Sequence, residues 1–171
     1  MKQLASVFLL LAFLSPVSAV EDATIGYVDM QKVLEQSKMG KEANETLKEK
    51  YSPSQQELAE EEQAIRQLQQ KTGRDAALMS QEELDKRTAE IQKRLRQLQE
   101  KAMTTQQEFT KDQTELGNKI IKPAQEIIAA LAMEKKLSAV FERSQSGLLY
   151  IQDSLNLTDE VIKRLDAGSG K

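Results

Sequence analysis

The chain has 171 residues, of which 39% are hydrophobic, 30% charged and 4% aromatic; its formal net charge is −3, and it contains no histidine, cysteine or tryptophan. These absences exclude Ser-His-Asp and Cys-His catalysis, imidazole or thiolate metal sites, Fe–S clusters and disulfides, leaving carboxylates, Lys, Tyr and hydroxyls as the only chemistry-bearing groups. Leu, Ile, Val and Phe are too sparse to fill a compact core of this length, which points to an extended or oligomeric molecule and away from an enzyme.

Met1 and Lys2 open with positive charge, Leu4–Leu14 is an apolar run, and Val17-Ser18-Ala19 has the small-x-small ending that signal peptidase reads. Residues 1–19 are therefore predicted to be a cleaved secretory signal, because the run is shorter than the ~20 apolar residues a membrane span needs. Cleavage would leave 152 residues and remove Lys2, taking the net charge to −4. No cysteine follows the cleavage point, so a bacterial lipoprotein anchor is excluded, and packing or oligomerisation must do what disulfides do in other exported proteins.

Thr24–Val28 is a short run of strand-forming residues, and Asp29 is a good N-cap for a helix starting at Met30. Apolar residues at Met30, Val33, Leu34, Ala43 and Leu47 recur at helical spacing, then thin to a coiled-coil-like seam at Leu58, Ile65 and Leu68. Lys71–Asp75 breaks the pattern. Ser80 and Glu83 form a capping box that starts a second helix, predicted to reach about Lys136, with apolar positions from Leu84 through Ile91, Leu98 and Phe109 to Ile120. Helices over 30–71 and 80–136 would be roughly 60 and 85 Å long at 1.5 Å per residue. Folded back as an antiparallel hairpin, they pair residues whose numbers sum to about 152, setting Glu57, Glu60, Glu61 and Glu62 beside Lys93, Arg94 and Arg96. Such exposed pairs contribute about 0.2–1 kcal/mol each.

Ser52-Pro53-Ser54-Gln55 reads as a fresh N-cap and first turn, so the first helix is predicted to stop and restart or kink there, while Pro123 kinks the second; both prolines are hinge candidates. From Ile121 to Leu137 the second helix turns apolar on most faces and belongs to a core. Ser138–Glu142 and Leu148–Ile151 are strand candidates joined by a turn, completing a three-stranded sheet with the first strand. Thr158 is predicted to cap a short helix through Asp166, with residues 167–171 a disordered tail.

The segment Ile25–Leu34 leading into a helix, the long polar hairpin, and Leu157-Thr158-Asp159-Glu160-Val161-Ile162-Lys163-Arg164-Leu165 together resemble the Skp/OmpH family of periplasmic chaperones over nearly the whole mature chain. The resemblance implies an α+β, mostly α fold: a helical hairpin tentacle (47–116) on a small β body (20–46 and 117–166) that assembles into a homotrimer. It further implies an ATP-independent, cofactor-free holdase in the periplasm that encloses unfolded outer-membrane proteins between its arms. Ile25, Tyr27, Val28, Val140, Phe141, Leu149 and Ile151 would fall in the trimer body. Leu78 and Met79 at the bend, and Met103 and Phe109 along the second arm, are the candidate client contacts, although the helical spacing of Met103 and Phe109 also suits a seam. Many weak contacts would then act together by avidity.

The arm departs from basic members of that family. Residues 54–111 carry ten Lys or Arg against eleven Asp or Glu, and the pI is near 5.3, which speaks against lipopolysaccharide or an anionic membrane surface as a partner. Nucleic acid is disfavoured for the same reason. Carboxylate pairs such as Glu60/Glu61 and Glu82/Glu83 read as solvated faces, since nothing would desolvate them. The competing reading is a structural coiled-coil or adaptor protein of the envelope without clients.

Overall fold

The computed structural model describes residues 24–168. The predicted signal and the last three residues of the predicted tail lie outside them. Strand β1 (Ile25–Val28) leads through Asp29 into α1 (Met30–Gln36), followed by α2 (Lys38–Asp75) and a single 3-10 turn, Ala76–Leu78. Helix α3 (Gln81–Glu134) returns the chain to β2 (Ala139–Glu142); a second 3-10 turn, Asp153–Leu155, precedes α4 (Thr158–Gly168). At 1.5 Å per residue, α2 and α3 are about 57 and 81 Å long.

The caps explain where most helices begin. Asp29 Oδ1 accepts from the Lys32 amide at 3.0 Å. Ser80 and Glu83 form the reciprocal capping box, the Glu83 carboxylate taking the Ser80 N–H and the Ser80 hydroxyl taking the Glu83 N–H. The Ser80 N–H, and the Ser80 hydroxyl donating to Glu83 Oε2 at 2.9 Å, hold the Glu83 carboxyl below the usual range.

Beyond those starts, the structure corrects the sequence reading in five places. First, Pro53 ends nothing: α2 runs through it, and α3 runs through Pro123. A proline deprives the carbonyl four residues earlier of its donor, and those residues, Glu49 and Lys119, are exposed, where water replaces the bond. Second, the interruption falls at Ser37, whose ψ of 157° leaves the helix and whose buried hydroxyl accepts from Gly40 N at 3.1 Å. Third, α2 continues to Asp75, and the hairpin register moves with it. Glu61 meets Arg94 and Glu57 meets Lys101, so partners on α3 generally lie further along the chain than the predicted pairing.

Fourth, the sheet has two strands among the described residues. β1 and β2 pair in parallel, Ile25 with Ala139 through Val28 with Glu142. The far side of β1 is taken by residues 156–157, where the Leu157 N–H donates to the Tyr27 carbonyl at 2.9 Å. Leu148–Ile151 joins no ladder: Ser144 and Gln145 wrap the Glu142 carboxylate, and Gly147 at φ 67° carries the chain away from the sheet. Fifth, Thr158 lies inside α4 instead of capping it. Its N–H is met by Asn156 Oδ1, its hydroxyl accepts from the Asp29 N–H, and the helix runs on to Gly168.

The core gathers Val28, Val33, Ile120, Ala124, Leu131, Val161 and Leu165, from β1, α1, α3 and α4, with Leu157 from just before α4. Gly26 and Gly40 sit at close approaches within and beside it. A Cβ on Gly40 would lie 1.9 Å from the Leu34 carbonyl oxygen, so the turn between α1 and α2 admits no side chain there, whereas Gly117 in α3 has nothing within 4 Å. Gly40→Ala is expected to destabilise by at least the ~1–3 kcal/mol of an overpacked site. Gly117→Ala should stabilise by about 0.5–1 kcal/mol, as glycine does worse than alanine inside a helix. Urea midpoints of the two variants check this pair; equal effects would contradict the steric reading.

Candidate functional site

The hairpin of α2 and α3 contains the two longest helices, and its chemistry is that of a thin seam. Leu47, Tyr51, Ile65, Thr72 and Ile91 are buried along it, and Leu58, Leu68, Leu84, Leu95 and Leu98 are half-buried. Most other positions between Leu47 and Leu116 are exposed Glu, Gln, Lys, Arg, Ser or Thr. The seam therefore uses up the apolar side chains that periodicity provides, and the outward faces are polar.

One knot closes the lower arm. The rings of Tyr51 and Phe109 meet edge to face with centroids 5.2 Å apart, and the Tyr51 hydroxyl donates to Asp112 Oδ2 at 2.8 Å. Lys50 reaches the same carboxylate oxygen. Bonds from Lys50 and then Tyr51 hold the Asp112 carboxyl below its ordinary range, while burial, reinforced by Asp112, pushes the Tyr51 phenol up. Further along, Arg94 grips Glu61 through two bonds of 2.7 Å and holds its carboxyl down; Lys101 meets Glu57, and Arg87 stands 3.7 Å from Asp75.

The four sequence-predicted contact residues separate. Leu78 is 90% exposed on the 3-10 turn at the tip, and Met103 is 59% exposed on the outer face of α3. Met79 is half-buried, and Phe109 is half-buried against Tyr51 in the seam. Of the body residues, Tyr27 and Val28 are buried, Ile25, Val140 and Ile151 are half-buried, and Phe141 is only just exposed. Leu149, by contrast, is fully exposed, and Tyr150 beside it is 80% exposed. Sequence reasoning missed the Lys50–Tyr51–Asp112 knot. Its signal was there: Tyr51 follows Leu47 by one helical turn, at a height on α2 that faces Phe109.

No cluster of acidic side chains among the described residues could hold a metal, and none of the described helices is long and apolar enough to cross a membrane.

A family model for OmpH-like outer membrane proteins matches residues 24–165. The chain belongs to that family. An uncharacterised protein of Aquifex aeolicus (strain VF5) is 28% identical to this OmpH-like chain over 139 residues, which span 81% of the chain and 83% of that protein. Among solved structures, a Caulobacter crescentus CB15 protein proposed to be an OmpH-like outer membrane chaperone superposes with a TM-score of 0.64, over 85% of each chain, at 18% identity. That likeness is one of fold: a small body carrying a long helical hairpin.

The depressed Asp112 carboxyl makes a pH-dependent claim. A folded-state pKa below the unfolded value gives stability that is present above the unfolded value and lost as pH falls through the folded one. Asp112→Asn should therefore lower the thermal midpoint at neutral pH, with the gap to the parent protein closing below about pH 4, near the ordinary aspartate value. Melting followed by circular dichroism at neutral and acid pH checks it, and a gap of the same size at both would count against the knot.

Proposed function

We propose that this OmpH-like chain is an ATP-independent holdase of the periplasm, working as a homotrimer whose helical arms enclose unfolded outer-membrane proteins. The observation that carries the reading is a hairpin of helices about 57 and 81 Å long, the longer one rooted in a small body, in a chain matched by the OmpH-like family over 24–165. A protein that stores clients must hold them without trapping them. Arms whose apolar residues are consumed by their own seam, with Leu78 and Met103 standing out singly, offer many weak contacts and no deep pocket, so retention comes from enclosure and avidity.

Self-association is supported by the body. Leu148, Leu149 and Tyr150 form a contiguous exposed apolar run, and Phe141 and Met133 are exposed large apolar residues of the same end of the molecule. Burying one such side chain gains about 1.5–3 kcal/mol, so leaving the run in water in a lone chain is a substantial loss. The apolar leader at residues 1–19 supports export, and the near-balance of charge along the arms favours clients chosen by unfolded, apolar character over an anionic lipid surface. The role is non-catalytic and uses no cofactor.

The direct test dilutes a urea-unfolded outer-membrane β-barrel protein into buffer with and without the mature chain. Scattering from the aggregating client is expected to be suppressed near one trimer per client. No suppression at that ratio would overturn the holdase reading in favour of a structural envelope protein. Self-association has its own test: Leu149→Ser with Tyr150→Ser should reduce the mass measured by light scattering from three chains to one. A parent protein that is already a single chain would refute the shared body.

A further inference from the structure

Besides packing into the core, helix α4 makes polar contacts with the three helix ends on which the hairpin stands. At its start, the Thr158 hydroxyl accepts from the Asp29 N–H at 3.0 Å, at the beginning of α1. Two residues further, Glu160 takes Lys135 at 3.0 Å, and Arg164, one turn on, donates to both Glu160 and Glu134, at the end of α3. Near its end, Asp166 Oδ1 accepts from the Lys38 N–H at 2.8 Å, at the beginning of α2. Thr158 and Asp166 are about 12 Å apart along α4, and Asp29 and Lys38 about 13 Å apart along α1, so the two helices run side by side in the same direction. Val161 and Leu165 of α4, with Val33 of α1, fill the core between them.

The elbow that α4 spans is the break at Ser37. Its own restraints are short-range: the Ser37 hydroxyl holds Gly40 N, and the absent side chain of Gly40 lets the Leu34 carbonyl approach. Neither fixes α2 relative to the body; that is left to Met39 and Ala43, only partly buried against the core, and to packing along α3. The first amide of α2 has no carbonyl partner within its helix, and that amide is the one α4 reaches.

We infer that α4 is a splint that sets the direction of the hairpin, with Asp166 the positioning residue that ties α2 across the Ser37 elbow. The pivot of the arm is then this elbow, and Pro53 and Pro123, inside unbroken helices, are not pivots. The same helix holds the root of α3 through Glu134 and Lys135, so both legs of the hairpin are referred to one element. The inference holds whatever the arms carry.

The chain has no cysteine, so spin labels can be placed at will. Gln67→Cys on the exposed face of α2 and Gln152→Cys on the body report arm direction as a distance distribution, recorded in chains diluted with unlabelled protein. Asp166→Ala is expected to raise the population of displaced orientations about fivefold, the ratio a lost helix cap carries. Asp166→Asn, which keeps an acceptor oxygen, should restore the parent distribution. Lys38→Pro approaches from the other side: it removes the donor at a first helical position where proline is accepted, and leaves α4 untouched. It should broaden the distribution as Asp166→Ala does, and serves if that variant fails to fold. Parent-like distributions in both Asp166→Ala and Lys38→Pro, or a larger change on Pro53→Ala than on either, would overturn the inference.

Discussion

The parallel pairing of Ile25–Val28 with Ala139–Glu142 closes a loop that contains both long helices. Parallel strands cannot be joined by a tight turn, and here the crossover is the whole hairpin. Loop-closure entropy grows only with the logarithm of loop length, and a loop made of stiff, self-paired helices brings its ends together without an entropic search of that size. The hairpin thus delivers β2 to β1, and the core that forms around Val28, Val33, Ile120, Leu131, Val161 and Leu165 holds the base of the hairpin in return. Each half makes the other possible.

That dependence explains how the apolar residues are divided. Packing around the strands is dense, and Val33, Ala124, Leu131 and Val161 have no accessible surface. The arms have a single file of buried positions, and their cross-helix ion pairs stay at least partly in water. Glu61–Arg94 is the best formed, being bidentate and half-buried, but the desolvation that strengthens it also works against the carboxylate. Stability should therefore fall from the base of the hairpin toward its tip, with the Tyr51–Phe109–Asp112 knot marking the last place where ring packing, a hydroxyl and an ion pair coincide. Thr72, whose buried hydroxyl has no hydrogen-bond partner, lies in the distal part.

Features encoded within a few residues were legible in the sequence. Asp29 and the Ser80–Glu83 box announced two helix starts, the β-branched runs announced β1 and β2, and the change to all-round apolar character after Ile120 announced the part of α3 that enters the core. What failed depended on partners distant in the chain. The hairpin register was read from a break at residues 72–79, the first part of which the helix ignores, because Thr72 is still turned into the seam and Gly73 faces open space. Leu148–Ile151 has the composition of a strand, but Gly147 turns it off the sheet and residues 156–157 take the second edge of β1. Thr158 looked like a cap because its local sequence is that of one, and only the fold could reveal that its hydroxyl serves Asp29 instead.

The prolines carry the same lesson into mechanics. A proline in a helix is read as a breaker because it deletes a hydrogen bond, yet an exposed helix replaces that bond with water and continues. Ser37 breaks the chain more completely, although serine is an ordinary helix residue, because its hydroxyl competes for the Gly40 amide and Gly40 allows the Leu34 carbonyl to close in. Where a long helical arm is interrupted is therefore set less by which residue disfavours helix than by where the backbone has been offered another acceptor. In this chain that place is at the root of the arm, where, on the splint proposed for α4, a small angular change would be multiplied by the length of α2 into a large displacement at Leu78.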